Sequence, residues 1–139
     1  MKILTLFLLL SNLGFGQTVT GKWKTIDENT GKERSIIEMT ERGGKLYGRI
    51  IKIFPEAGKD TDPICTKCPA DDARYNKKVI GMEIIKDLVK DDDEYSQGTV
   101  LDPEAGEIYR CKIWLEGKDL RIRGYLGPFY RTQTWQKVQ

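Results

Sequence analysis

The chain has 139 residues, with 23 Lys and Arg against 21 Asp and Glu, a formal net charge of +2, and no histidine. This near balance argues against the clustered cationic face that nucleic acid or an anionic membrane requires. The commonest general base is absent, and neither Ser35 nor Ser96 lies in the Gly-rich elbow that exposes a nucleophile. The sequence therefore does not support catalysis, and we predict no catalytic residue and no cofactor.

Residues 1–16 have the pattern of a cleavable signal peptide. Lys2 precedes an apolar run over residues 3–10, and small residues then lead to a cleavage point after Gly16. The run is too short to span a bilayer, which requires about 20 residues. No cysteine lies near the cut to carry a lipid. We therefore expect residues 17–139 to form a single exported domain, periplasmic or secreted, without a transmembrane span.

Short segments with a strand pattern, separated by turn signals, follow this leader. The turns at residues 29–31 and 42–44 contain Asn or Gly, which accept the positive φ of tight turns. In residues 102–106, Pro103 stands where a type I turn favours proline. The pattern predicts about eight strands, over residues 22–26, 34–40, 45–54, 79–89, 95–101, 108–115, 120–125 and 132–138.

Two segments are harder to assign. Residues 55–78 are rich in Asp, Lys and Pro and predict one long irregular loop, too polar to belong to the core. In residues 79–89 the apolar side chains fit a helix almost as well as a strand, and we predict a strand.

Eight strands with short connections predict an all-β fold, a single small antiparallel up-and-down barrel. Pairing between the first and last strands would remove the free edges of the sheet. Trp23 lies in the first strand and Trp135 in the last. We expect their large rings to plug one end of the barrel.

The strand over residues 120–125 carries the most suggestive polar side chains. Arg123 and Tyr125 project to the same side and could together hold a carboxylate or a phosphate. Arg121 and Arg131 would join them only if both strands face inward, and the alternative is a solvated strand face. The local pattern does not decide which face points into the barrel. The candidate ligand-binding residues are Trp23, Arg121, Arg123, Tyr125 and Arg131.

Three cysteines leave several arrangements open. Cys65 and Cys68 lie in a polar loop, whereas a redox pair needs a helix start. A zinc site needs four ligands, so Asp62 or Asp71 would have to complete it, and we predict no metal site. An oxidising compartment favours a structural disulfide. Pairing Cys65 with Cys68 leaves Cys111 as a buried thiol, and the alternative ties Cys111 to one of the loop cysteines.

Several segments of the sequence resemble segments of known protein families. The segment Gly21-x-Trp23 and the closing strand from Arg131 to Trp135 resemble the ends of calycin-type barrels, the lipocalin and fatty-acid-binding group. Nearly the whole chain after the leader resembles the exported bacterial family known as domain of unknown function 2147. The matching elements are Gly21-x-Trp23, Gly44-x-Leu46-x-Gly48-x-Ile50, Cys65-x-x-Cys68, Ile80-Gly81, Leu101-Asp102-Pro103-x-x-Gly106-x-x-Tyr109-x-Cys111, Arg123-Gly124-Tyr125-x-Gly127 and Arg131-Thr132-x-Thr134-Trp135.

The resemblance implies a calycin-like barrel but no catalytic residues, because the role of that family is unassigned. One departure is Ala105, where the family often has Asn, and Asn tolerates the left-handed conformation better than Ala. The detailed shape of the turn at residues 102–106 therefore stays open.

Two functions fit this sequence. The first is a non-catalytic binder that holds a small apolar or amphipathic molecule in a barrel. The second is a filled barrel that acts as a protein-interaction or envelope-maintenance module without a small ligand. Barrels of eight strands are either packed by side chains or just able to hold one small ligand, so size does not separate the two. We favour ligand binding by analogy with the calycins, and no particular protein partner is implied.

Overall fold

The structure, a computed structural model, describes residues 18–139. The predicted signal peptide lies outside the described residues, as does Gln17. Within that range no helix is long and apolar enough to cross a membrane. The described residues contain eight strands, β1 (Gly21–Ile26), β2 (Glu33–Arg42), β3 (Lys45–Ile53), β4 (Glu83–Asp91), β5 (Glu94–Asp102), β6 (Glu107–Glu116), β7 (Asp119–Leu126) and β8 (Phe129–Lys137).

The strands form a closed antiparallel barrel in chain order. Each strand pairs with the next, as expected where short turns join alternating segments. β1 then pairs with β8, from Trp23 opposite Lys137 to Thr25 opposite Trp135. The predicted all-β, eight-stranded up-and-down barrel is thus confirmed, including the pairing of its first and last strands.

The two ends of the barrel are built differently. The β2–β3, β4–β5 and β6–β7 hairpins lie at the end where the described chain begins and finishes, which we call the closed end. The β1–β2, β5–β6 and β7–β8 turns lie at the opposite, open end. The open end also receives the long connection between β3 and β4, residues 54–82.

Apolar side chains fill the closed half of the barrel. Trp23 is fully buried, Trp135 is 4% exposed, and the two lie on neighbouring strands. Val19 is also buried, and its carbonyl oxygen accepts a hydrogen bond from Trp23 Nε1 at 2.8 Å. This hydrogen bond from the Trp23 ring therefore holds the segment before β1 at the closed end.

β4 begins later than the sequence predicts. The strand is Glu83–Asp91, and residues 79–82 belong to the long connection. There the chain turns at Gly81, whose φ of 92° suits glycine, and the amide of Gly81 donates to the carbonyl of Ile50 at 2.6 Å. A positive φ of 61° at Asp87 interrupts the alternation inside β4. This irregularity explains why the apolar spacing fits a helix almost as well as a strand.

The long connection is not merely a polar surface loop, which corrects the sequence prediction. Cys65, Cys68 and Arg74 are all buried. Arg74 donates from Nε and Nη2 to the two carboxylate oxygens of Asp72, both at 2.9 Å, and from Nη1 to the carbonyl oxygen of Glu83 at 3.0 Å. A polar segment can be buried when its charges are paired in this way.

The cysteine pair packs the long connection against the β5–β6 turn. The Sγ atoms of Cys65 and Cys68 lie at disulfide distance, and Cys65 Sγ lies 3.7 Å from the carbonyl oxygen of Pro103. Cys111 is unpaired and buried in β6. Of the cysteine pairings that the sequence left open, the structure contains the pair of Cys65 with Cys68.

Candidate functional site at the open end

The inner face of β8 changes from apolar to polar towards the open end. Cross-strand partners share a face of the sheet, and β8 places Trp135 opposite Leu120 and Gln133 opposite Ile122. Because Leu120 and Ile122 are buried in the core, Trp135, Gln133 and Arg131 lie on the inner face by strand alternation. Trp135 is buried, whereas Gln133 and Arg131 are exposed. The interior is therefore open to solvent near the mouth.

Hydroxyl groups line the neighbouring wall beside Trp135. Thr25 pairs with Trp135 on one side and with Ser35 on the other, so it shares their inner face. The two hydroxyl oxygens lie 2.6 Å apart. Trp135 Nε1 donates to Gln133 Oε1 at 3.3 Å. We call Thr25, Ser35, Arg131 and Gln133 the polar cup, with the Trp135 ring below it.

Charged side chains cross the rim of this cup. Arg131 Nη2 lies 3.1 Å from Glu28 Oε2, which joins β8 to the β1–β2 turn. Arg34 Nη1 lies 3.2 Å from Asp27 Oδ2, and Arg34 Nη2 forms an ion pair with Glu104 of the β5–β6 turn. Since β2 and β5 are not neighbours in the barrel, the Arg34–Glu104 pair spans the mouth. These pairs are solvent-exposed and stabilise the fold little, so a ligand can displace them at small cost.

Apolar side chains also border the mouth. Ile53 pairs with Ser35, and Val100 pairs with the fully buried Ile85, so both face inward. Both are only partly buried. Cys111, deeper on β6, is 2% exposed, and burial raises the pKa of its thiol to about 12. The thiol is therefore neutral near pH 7 and offers no nucleophile.

The structure divides the predicted ligand-binding residues between two faces. Arg121, Arg123 and Tyr125 alternate with the buried Leu120 and Ile122, so they lie on the outer face of the barrel. Arg131 lies on the inner face, and Trp23 is sealed in the closed half. The five residues do not form one site, because inward and outward positions alternate along each strand. Arg131 alone reaches the mouth.

On the outer face, the sequence reasoning missed the neighbours of Arg123. The guanidinium lies 5.1 Å from the ring centroid of Trp114 and 4.6 Å from that of Tyr130. Arg123 Nε donates to Thr132 Oγ1 at 2.8 Å. Tyr130 also lies 6.1 Å from Tyr125, centroid to centroid. We call these residues the outer arginine stack. Trp114 and Tyr130 belong to other strands, so only the hairpin registers could have revealed them.

The surface also has depressions away from the polar cup. One cleft of about 350 Å³ lies at the closed end beside Thr18–Thr20, Glu41 and Leu115. There the Tyr95 hydroxyl donates to Glu41 Oε1 at 2.9 Å, and burial together with this carboxylate raises the pKa of Tyr95 to about 12. Within residues 18–139, no group of three or more Cys, Asp or Glu side chains is arranged to hold a metal ion.

Residues 21–137 match the bacterial family described as "Uncharacterized protein conserved in bacteria (DUF2147)". The chain belongs to this family. The match spans all eight strands of this DUF2147 barrel. A solved structure from the human pathogen Helicobacter pylori, of a protein described as belonging to the lipocalin family, is also similar. It is 20% identical, with a TM-score of 0.71, and the match covers 88% of this chain and 84% of that one. No curated protein matches the chain.

The likeness to the lipocalin-family structure concerns the fold. It agrees with the calycin-like architecture that the two ends of the sequence predict.

Proposed function

We propose that this DUF2147 protein is a non-catalytic binding protein that takes a small amphipathic anion at the open end of its barrel. The lipocalin-like fold is compatible with small-molecule binding. The observation that carries the proposal is the change along the inner face, from the buried Trp135 to the exposed Gln133 and Arg131. A molecule with an apolar and a polar part would match this change.

The packing of the closed half limits the size of the ligand. Trp23 and Leu120 are fully buried and occupy the lower interior. The ligand would therefore be bound shallowly, with its apolar part against Ile53 and Val100 and over the ring of Trp135.

The polar cup supports a negative charge on the ligand. The Arg131 side chain is 71% exposed and is held by a single carboxylate, that of Glu28. A ligand carboxylate would take the place of Glu28 and form a charge-assisted hydrogen bond with the guanidinium. Thr25, Ser35 and Gln133 supply further donors between Arg131 and the Trp135 ring or beside that ring.

Isothermal titration with dodecanoate and with dodecanol tests the proposal, because the two differ only in the polar group. We expect dodecanoate to bind more tightly to the wild type, and Arg131→Gln to weaken that binding about tenfold. Arg121→Gln is the matched control, since Arg121 lies on the outer face of the same hairpin. No binding by the wild type, or equal weakening by both substitutions, would overturn the proposal and favour the filled-barrel alternative.

We also propose that the protein is exported after removal of residues 1–16. The support is the leader pattern of the sequence. The intact mass of the protein from its native cells is expected to correspond to a chain that starts at Gln17. A full-length mass in the cytoplasm would contradict this.

A further inference from the structure

The tip of the β7–β8 hairpin, residues 126–130, presents large apolar side chains to solvent. Leu126 is 55% exposed, Phe129 is 76% exposed and Tyr130 is 64% exposed. Leu126 is paired with Phe129 on the inner face of the hairpin, and Tyr125 with Tyr130 on the outer face, so apolar side chains project from both faces of the tip. Apolar groups clustered at a projecting tip mark a contact surface rather than the scattered exposure of an ordinary surface.

Beyond Asp119, the same hairpin carries an excess of cations. Residues 120–138 contain no Asp or Glu, and their cations are Arg121, Arg123, Arg131 and Lys137. Arg110 and Lys112 of β6 extend the cations on the outer face, because they pair with Tyr125 and Arg123. Three of these cations are paired with carboxylates, Arg121 with Glu116, Arg131 with Glu28 and Lys112 with Glu94. Among the described residues, Arg110 and Arg123 are therefore the unpaired cations nearest the tip, and the balanced charge of the whole chain conceals them. The argument from net charge against an anionic membrane therefore does not hold for this hairpin.

Arg123 is positioned to bind an anion behind the tip. Its guanidinium lies between the rings of Trp114 and Tyr130, and its Nε is held by Thr132. Among the described residues this is the hydrogen bond that fixes the side chain, and it leaves the Nη groups for an outside acceptor. Arg123 is three residues from Leu126, about 10 Å along an extended strand.

We propose that the β7–β8 hairpin docks the protein on an anionic phospholipid bilayer. Leu126, Phe129 and Tyr130 would enter the interface, and Arg123 would contact lipid phosphates. An apolar surface enters about 5–10 Å into the boundary between headgroups and acyl chains, which places Arg123 at headgroup depth. The apolar side chains lie at the tip and the cations lie behind it. This order matches a bilayer, in which the acyl chains lie beneath the anionic headgroups. This docking does not depend on the proposed ligand.

Sedimentation with lipid vesicles tests the proposal. We expect the wild type to bind vesicles that contain phosphatidylglycerol far better than vesicles of phosphatidylcholine alone. Binding should weaken at about 1 M salt, where the Debye length falls to about 3 Å. The double substitution Phe129→Ser and Tyr130→Ser should reduce the partition coefficient at least about tenfold. Arg123→Gln should reduce only the preference for the anionic lipid.

The matched control is Ile64→Ser, because Ile64 is 48% exposed but lies in the long connection. This variant is expected to bind like the wild type. Far-ultraviolet circular dichroism verifies that each variant is folded. Failure of the wild type to bind phosphatidylglycerol vesicles, or unchanged binding by the double variant, overturns the proposal. So does light scattering that shows self-association of the wild type which the double variant has lost, since the tip would then be a contact between copies.

The two proposals fail separately. Dodecanoate titration is carried out without vesicles and depends on Arg131 of the polar cup. Vesicle binding depends on the tip and on Arg123. A negative result in one experiment therefore does not contradict the other proposal.

Discussion

Trp23 donates its indole N–H to the carbonyl oxygen of Val19 at 2.8 Å. The bond joins a fully buried ring to the segment that precedes β1. A buried indole N–H without an acceptor would cost free energy, and the backbone of Val19 supplies that acceptor locally.

Replacing Trp23 by Ala should lower the free energy of unfolding by about 3–5 kcal/mol, because it opens a large cavity and leaves the Val19 carbonyl without its partner. Urea denaturation measures this loss. Trp114→Ala is the control, since Trp114 is only partly buried on the outer face, and it should cost about 1 kcal/mol. A loss below about 1 kcal/mol for Trp23→Ala would show that the ring does not seal the barrel.

The cysteine arrangement predicts one thiol per chain. Unfolding without reductant should expose Cys111 to alkylation while Cys65 and Cys68 stay linked. In the folded protein Cys111 should resist alkylation, because it is 2% exposed and burial raises its pKa to about 12. Peptide mapping after labelling with iodoacetamide measures both states. A label on either loop cysteine before reduction would refute the local pairing.

The ion pair between the half-buried Asp72 and the buried Arg74 predicts a loss of stability in acid. Hydrogen bonds from the Arg74 side chain lower the pKa of Asp72 from 3.8 to about 2. A carboxylate with a lowered pKa in the folded state stabilises the fold above its unfolded pKa, and this contribution is lost as the pH falls. For Asp72 it should amount to about 1–2 kcal/mol, lost between about pH 4 and pH 2.

Asp72→Asn should therefore cost about 2 kcal/mol at pH 7, because it leaves the Arg74 charge buried without its partner. The difference from the wild type should narrow towards pH 2. Urea denaturation at several pH values measures it. Asp71→Asn is the control, since Asp71 is exposed. A difference between wild type and Asp72→Asn that stays constant with pH would contradict the assignment.

Gly106 tests how the long connection is attached. Its φ is 71°, and a Cβ there would lie 1.8 Å from the carbonyl oxygen of Lys67. Gly106→Ala should destabilise the protein by about 3 kcal/mol and loosen the long connection, since backbone must move. Gly58→Ala has a similar φ of 81° but meets no atom within 4 Å, and should cost about 1 kcal/mol. Urea denaturation and limited proteolysis measure the two effects, and equal costs would show that the contact with Lys67 is unimportant.

The turn at residues 102–106 shows how far local chemistry reaches. The Asp102 side chain accepts from the amides of Glu104 and Ala105, and the amide of Gly106 donates to the Asp102 carbonyl at 2.7 Å. The turn forms although Ala105 stands where the family often has Asn. Pro103 and Gly106 at their usual turn positions were sufficient to predict it.

The candidate site was predicted only in part. Arg131 was singled out, and the structure places it at the mouth. Thr25, Ser35 and Gln133 were missed, because short polar residues in strands have no pattern of their own. Their significance depends on which face of each strand is inward.

The sequence by itself determined the number of strands and the turns between them, because alternation and turn chemistry act between residues close in the chain. The direction in which each face points was decided by the tertiary structure. Arg121 and Arg123 are outside and Arg131 is inside because closing β1 onto β8 fixes the buried face of every strand at once. The burial of Cys65, Cys68 and Arg74 likewise depends on partners that the folded barrel brings to the long connection.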